Sequence, residues 1–404
     1  MSDYRQPRSP IPPPIKGAEK GSFAYYTVVE RLPDLCGRIV AENEFPPGIV
    51  ENLELLAAEL PEKTVRSLAN SAAPDWAAWE RYLAPYAGQN WLEIPWYFIE
   101  AYFYRRVLEA TGYFQPLSEG YGVDPYAVQK RRGLENAMHS IQPLSAKLNE
   151  LQGKWDKKGL VSLMYFSLWG NRIDLSLWPT EEGDRVFIEV AEKEENLLGD
   201  DSWRVAEFLE EKTPDRLDFI LDNSGFELVC DLCLADFLLS THPQCEIHWH
   251  VKPHPIFVSD AMGKDVRETV KAIANHSEKA VQALGDRLQG YLESDRLLLR
   301  EDFFWTSPLV FWEMPDTLRQ DIAESSLIFV KGDANYRRIL GDRHWDFTTK
   351  FADIACYFPA PVVALRTLKS ELACGVHPHQ IETLNREVPE WLTNGTRGVI
   401  QFHG

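Results

Sequence analysis

From Gly21 to about Lys154, apolar residues recur at three- and four-residue spacing. The stretches that carry the pattern are SFAYYTVVERLPDLCGRIVAEN, NLELLAAEL and PWYFIEAYFYRRVLEATGYF. A helix turns once every 3.6 residues, so this spacing puts the apolar positions on one face and predicts helices. Gly112 is placed to stop the last of them. Trp96, Tyr97, Phe98, Tyr102, Phe103 and Tyr104 make that helix densely aromatic, as a helical core or a substrate wall. After about Leu160 the texture changes. RLDFILDNSGFELVCDLCL, CEIHWHVKPHPIFVSDAM, SSLIFVKGDANYRRIL and PVVALRTLKSELA each hold a short apolar or β-rich run that ends in polar residues. Most of these runs are followed by a helical pattern. That cadence of strand, loop and helix predicts an α/β domain with a mostly parallel sheet. Ahead of both regions, RQPRSPIPPPIKG is too proline-rich for a helix or a central strand, and reads as an extended arm. The expected organisation is an arm over residues 1–20, a helical domain over 21–155 and an α/β domain over 156–404.

In a parallel sheet, ligands bind beyond the carboxyl ends of the strands. The first predicted strand ends in Asp222 and Asn223, the second in Asp260, the third in Lys331, Gly332, Asp333, Asn335, Tyr336 and Arg337, and the fourth in Arg366, Thr367 and Lys369. Asp222, Asn223 and Asp260 offer three oxygen donors and two negative charges, which suits a hard cation such as Mg²⁺ or Mn²⁺. Lys331, Arg337, Arg366 and Lys369 are placed to hold a phosphate, helped by the amides of the Gly332-Asp333 turn. Each cluster alone also reads as a helix cap or a solvated face. Together, at four strand ends, they point to phosphoryl chemistry assisted by a metal.

Charge sharpens this reading. The chain has 404 residues and a formal net charge of -19. A broadly anionic surface repels nucleic acid and anionic membrane, so neither is expected as a main partner. An anionic substrate would therefore need the local positive charge that the strand ends supply. Six cysteines, a polar proline-rich start and no apolar run of spanning length fit a reducing cytoplasm.

Other motifs carry less. Cys230 and Cys233 form a C-x-x-C with no second pair, inside a helical pattern, and read as packing. His248 and His250 fall on one face of a strand without a third ligand at useful spacing. Asn171, Arg172 and Asp174 interrupt an apolar stretch, as a buried polar network or as part of the site. The chain holds no G-x-S-x-G elbow and no P-loop.

These stretches, with SLWGNRIDLSL, LDNSGFELVCDL, HVKPHPIFVSD, FVKGDANYRRILGDRHW and the R-T-x-K signature at Arg366–Lys369, resemble the metal-dependent damage-control phosphatases. The likeness is to the branch formerly described as protein-glutamate methyltransferases. It implies a three-layer α/β/α domain beside a helical N-terminal part. It implies a divalent cation (Mn, Co, Ni or Mg) on Asp222, Asn223 and Asp260, and phosphate near Asp333, Asn335, Tyr336 and Lys369. The implied substrates are small phosphorylated metabolites such as fructose 1-phosphate or fructose 6-phosphate.

On that reading the cation and Lys369 bind the phosphate, while Arg366, Thr367, Lys331 and Asn171 add contacts around the substrate. The nucleophile is either a metal-bound water or Asp222 itself. Glu227 orients water, contacts the sugar, or simply favours the helix dipole. Two alternatives stand beside it. One is a carboxyl methyltransferase using S-adenosylmethionine, for which the glycine-rich loop and partner acid are missing. The other is a metabolite-binding protein without turnover.

Overall fold

The computed structural model describes residues 4–170 and 195–404. Its centre is a seven-stranded sheet in the order β1-β7-β6-β5-β2-β3-β4. The strands are β1 (Leu197–Asp200), β2 (Arg216–Ile220), β3 (Glu246–Val251), β4 (Leu297–Glu301), β5 (Leu327–Lys331), β6 (Val362–Thr367) and β7 (Gly398–His403). Five of the six ladders are parallel; only β6 and β7 run antiparallel. The fold is therefore α/β, with a mostly parallel sheet covered by helices.

The period of two in each strand sorts its side chains between two cores. Leu217, Phe219, Ile247, Trp249, Leu327 and Phe329 enter one core, with the helices Lys157–Trp169, Ser202–Glu211, Phe226–Thr241, Gly263–Ala274 and Lys279–Glu293. Ile220, Ile328, Val330, Val362 and Ala364 enter the other, with the segments around Phe304, Tyr336, Phe351 and Leu384. The helix Phe226–Thr241 is buried on all faces because it lies between the sheet and further helices. Cys230 and Cys233 sit in it as buried free thiols, and burial pushes both well above the ordinary cysteine range.

A third core belongs to the helical part. Leu32–Glu42, Pro47–Glu59, Trp76–Leu83 and Trp96–Ala110 pack together through Val28, Leu53, Trp79, Trp91, Tyr102 and Phe103. The helix Trp96–Ala110 ends as a Schellman turn. Gly112 adopts φ +71°, its N–H reaches Glu109 O, and the Tyr113 N–H reaches Leu108 O. The helices Ala127–Ser140 and Gln142–Leu151 follow, and their Ala137, Leu144 and Leu148 lie in the sheet's core.

The proline-rich arm docks along a seam between the parts. Ile15 donates to Asp342 O and accepts from Trp96 N, both at 2.9 Å, while Arg8 N reaches Asp353 O. The same seam holds Arg337, whose guanidinium pairs with Glu100 and with Asp342 (2.8 Å) and lies 3.7 Å from the Trp96 ring centre.

Candidate metal and phosphate site

In the sheet, β2 leads outward to β3, while β5, on its other side, leads outward to β6. The carboxyl ends of β2 and β5 therefore diverge at a switch point, where such sheets bind ligands. Asp222 follows β2 and Gly332 follows β5 there. Gly332 has φ +84°, and a Cβ on it would lie 2.0 Å from Asp222 Oδ2. The Asp222 carboxylate thus occupies space that any other residue at 332 would fill. Asn335, fully buried, ties the two strand ends together by donating to Leu221 O (3.0 Å) and Lys331 O (2.9 Å).

The β3 end comes to the same place by a closed loop. An isolated bridge joins Asn223 to Asp260, Ala261 N donates to Asp222 O (2.8 Å), and Ser224 N donates to Ser259 O (2.7 Å). Phe257 and Val258 in this loop have φ of 47° and 67°, unusual for residues other than glycine. The helical core holds them there: Phe257 packs 4.9 Å from the Tyr104 ring and 5.7 Å from Tyr97. The helical part thereby fixes the loop that presents Asp260.

The result is a crowded acidic centre. Asp222, Asp260 and Glu227 are all buried. Burial, then Glu227 and Asp260, pushes the Asp222 carboxyl well above the usual carboxylate range. Burial likewise holds Asp260 up, at about 6, although the Lys252 ammonium pulls the other way. Lys252 Nζ lies 3.3 Å from Asp260 Oδ2, yet that oxygen accepts no hydrogen bond among the described residues. Asn223 is fixed at both ends: Nδ2 donates to Asp222 Oδ2 (2.7 Å) and Glu227 Oε2 (2.9 Å), and Oδ1 accepts from Ser259 Oγ (2.5 Å). Oxygen-only donors with surplus negative charge are the chemistry a hard divalent cation takes. Among the described residues no three His, Cys, Asp or Glu side chains cluster at ligand spacing; this set depends on an amide for its third donor.

The basic residues are placed differently from the sequence expectation. Lys331 is buried beneath the site, with Nζ on Ser167 O (2.6 Å), Asp231 (3.1 Å) and Glu227 (3.3 Å). Arg337 is engaged in the seam. Arg366 reaches Asp333 (2.7 Å), Leu372 O and Ser370. Asp333 gathers the R-T-L-K loop, accepting also from Lys369 N (3.1 Å) and Ser370 Oγ (3.0 Å). Burial would raise the Asp333 carboxyl, but Arg366 and its other donors hold it below the usual range. The Tyr336 hydroxyl donates to Gln401 Oε1 inside the second core, and its ring lies under Arg366. Thr367 is half-buried at the end of β6. Lys369 alone of the four expected cations is exposed, and its ammonium makes no ion pair among the described residues. Its charge still lowers the Asp222 carboxyl's preference for the proton. Asn171, Arg172 and Asp174 lie outside the described residues.

Two lysines near the acids went unnoticed in the sequence. Lys252 sits in the HVKPH run, where a lone lysine directly after a buried strand was the available signal. Lys130 pairs with Asp265 (2.8 Å) and Asp124 (3.2 Å), and nothing local marks it. Lys130 and Lys264, with Ser224 and Gly225, border a cavity of about 340 Å³. His248 and His250 do share a strand face. His250 is engaged by Asp218 on β2 (2.7 Å) and His248 by Glu246 (2.8 Å), away from any shared ligand position.

Comparison with known proteins agrees across the chain. The damage-control phosphatase ARMT1-like domain family matches residues 27–384. Damage-control phosphatase ARMT1 of Mus musculus is 32% identical, covering 96% of this chain and 98% of that protein. Its Danio rerio counterpart is 32% identical (97% and 97%), and the Homo sapiens one 30% (98% and 99%). Among solved structures, a DUF89 family protein from Pyrococcus horikoshii aligns at 17% identity with a TM-score of 0.47, covering 93% of this chain and 97% of that one.

Proposed function

The chain belongs to the damage-control phosphatase ARMT1-like family, and from that premise we propose that it hydrolyses small phosphorylated metabolites with the help of a divalent cation. The substrates on this reading are sugar phosphates of the fructose 1-phosphate or fructose 6-phosphate kind. The observation that carries it is the pairing at one switch point of buried, under-neutralised Asp222 and Asp260 with the Lys369 ammonium, unpaired among the described residues.

Asp222, Asn223 and Asp260 would hold the cation, as Mn, Co, Ni or Mg. When bound, it supplies a Lewis acid for a phosphoryl oxygen. The protein's own residues do the rest. Lys369 draws the phosphate to the strand ends as a point charge. Asp333 fixes the loop that carries Lys369, and Gly332 leaves room for the Asp222 carboxylate. Asn335 keeps the β2 and β5 ends at a fixed separation. Glu227 steadies the Asn223 amide.

The test is phosphate release from a panel of sugar phosphates with Mn²⁺ or Co²⁺, with and without chelator. Release that the chelator stops is the expected outcome. Silence across the panel, with methyl transfer from labelled S-adenosylmethionine, would reverse the reading.

A further inference from the structure

Asn223 has two chemically opposite ends, and only Oδ1 can bind a cation. Oδ1 accepts from Ser259 Oγ at 2.5 Å, and the way the amide faces is set by what holds both ends. Here Nδ2 lies against two carboxylate oxygens, Asp222 Oδ2 and Glu227 Oε2. Turning the amide over would set its oxygen against both acceptors. Glu227 can do this only if its own carboxylate stays in place beside two other acids, with which it shares a buried centre.

We infer that Lys331 and Asp231 form a buried positioning pair that acts through Glu227 to keep Asn223 Oδ1 turned toward the cation site. The inference rests on the proposed reading of Asp222, Asn223 and Asp260 as ligands. Glu227 and Asp231 are four residues apart on one face of the helix Phe226–Thr241, and both meet Lys331 at the end of β5. An ammonium has three donors. Those of Lys331 have three acceptors in reach: Ser167 O at 2.6 Å, Asp231 Oδ1 at 3.1 Å and Glu227 Oε1 at 3.3 Å. Asp231 is anchored in turn by Ser167 Oγ at 2.6 Å. Ser167, Asp231, Lys331 and Glu227 are each at most 7% exposed, so Lys331 is shut off from a phosphate and its charge serves Glu227 instead. The helix is locked at this point: a Cβ on Gly170 would lie 3.0 Å from Glu227 Cα. Partners behind a ligand commonly set metal affinity by about 10–100-fold.

The test is a Mn²⁺ titration of substrate-free protein, read by electron paramagnetic resonance, together with crystal structures. Lys331→Met alone strands two buried carboxylates and endangers folding. The double variant Lys331→Met/Asp231→Asn removes one charge of each sign, and Lys331→Arg keeps the charge but moves the donors. We expect the double variant to melt cooperatively, to bind Mn²⁺ about tenfold or more weakly, and to show Asn223 turned or displaced. Lys331→Arg should weaken binding in the same direction, and Asp231→Asn alone should change it least. Wild-type Mn²⁺ affinity in the double variant or in Lys331→Arg overturns the inference. A wild-type protein that takes up no Mn²⁺ sinks the cation reading instead. The crystal structures then decide the positioning role: an unmoved Asn223 in the double variant overturns it, and a displaced one supports it.

Discussion

On the β2 and β3 side of the switch point, Asp222 and Asp260 are buried with too little positive charge nearby, and burial lifts both carboxyls. On the β5 and β6 side, Lys331, Arg337 and Arg366 are just as buried, but each is matched by carboxylates inside the fold. The sequence presents the two sides as equals, an acidic cluster facing a basic one. The structure separates them by what remains unmatched. Among the described residues the acids are only partly matched, by the Asn223 amide and Lys252, whereas the buried bases are matched by carboxylates. Lys369 is the exception on the basic side, since it is exposed and unpaired among the described residues.

The largest test of this contrast is Asp222→Ala. It removes a proposed ligand without stranding a buried cation, so turnover should fall by about 10⁴-fold, as expected when several kcal/mol of charge stabilisation are lost. Near-normal metal-dependent phosphate release would refute the site. Arg337→Met tests the opposite side. It strands Glu100 and Asp342, and should lower unfolding stability by roughly 3–5 kcal/mol in a denaturant titration. A variant with unchanged stability and impaired turnover would make Arg337 a site residue after all.

A pH series of the metal-free protein comes next. Asp260 is raised from 3.8 to about 6, and Asp222 is raised in the same direction. Between those values the folded state binds more protons than the unfolded one. The contribution is therefore fully present below pH 3.8 and is lost as pH rises through about 6. For Asp260 it is on the order of 3 kcal/mol. Mn²⁺ should restore stability increasingly over the same rise, because ligands must lose protons to bind it. Melting curves with and without Mn²⁺ that stay parallel from pH 4.5 to about 7 would contradict this. The smallest effect is that of Lys369→Ala. It should raise KM for a sugar phosphate by about tenfold, near 1.4 kcal/mol, with the melting temperature unchanged. A lowered melting temperature would place Lys369 with the scaffold.

How far the sequence could be read follows from the range of each interaction. β2, β3, β5 and β6 stood out because they are apolar runs closed by polar residues. β1 has four residues and β4 is half exposed, both at sheet edges, so neither shows a continuous run. β7 has no helix after it to complete the cadence. The acidic centre was visible because strand ends collect in any parallel sheet. The fate of the bases was not, because their partners are remote: Arg366 meets Asp333 from 33 residues away and Arg337 meets Glu100 from 237. The helical part's grip on Phe257 and Val258 was equally hidden, since it depends on contacts between separate cores.

The docked arm has a consequence for synthesis on the ribosome. Pro12 accepts from Arg343, a residue translated 331 positions later, and Ile15 and Arg8 reach Asp342 and Asp353. The arm leaves the exit tunnel before its docking surface exists. It must wait, extended, while the helical core forms and most of the sheet is made. Its proline content suits that wait, because a chain with preset backbone angles and few free donors resists pairing with the wrong strand. Closing the seam thus waits on residues translated long after the arm itself.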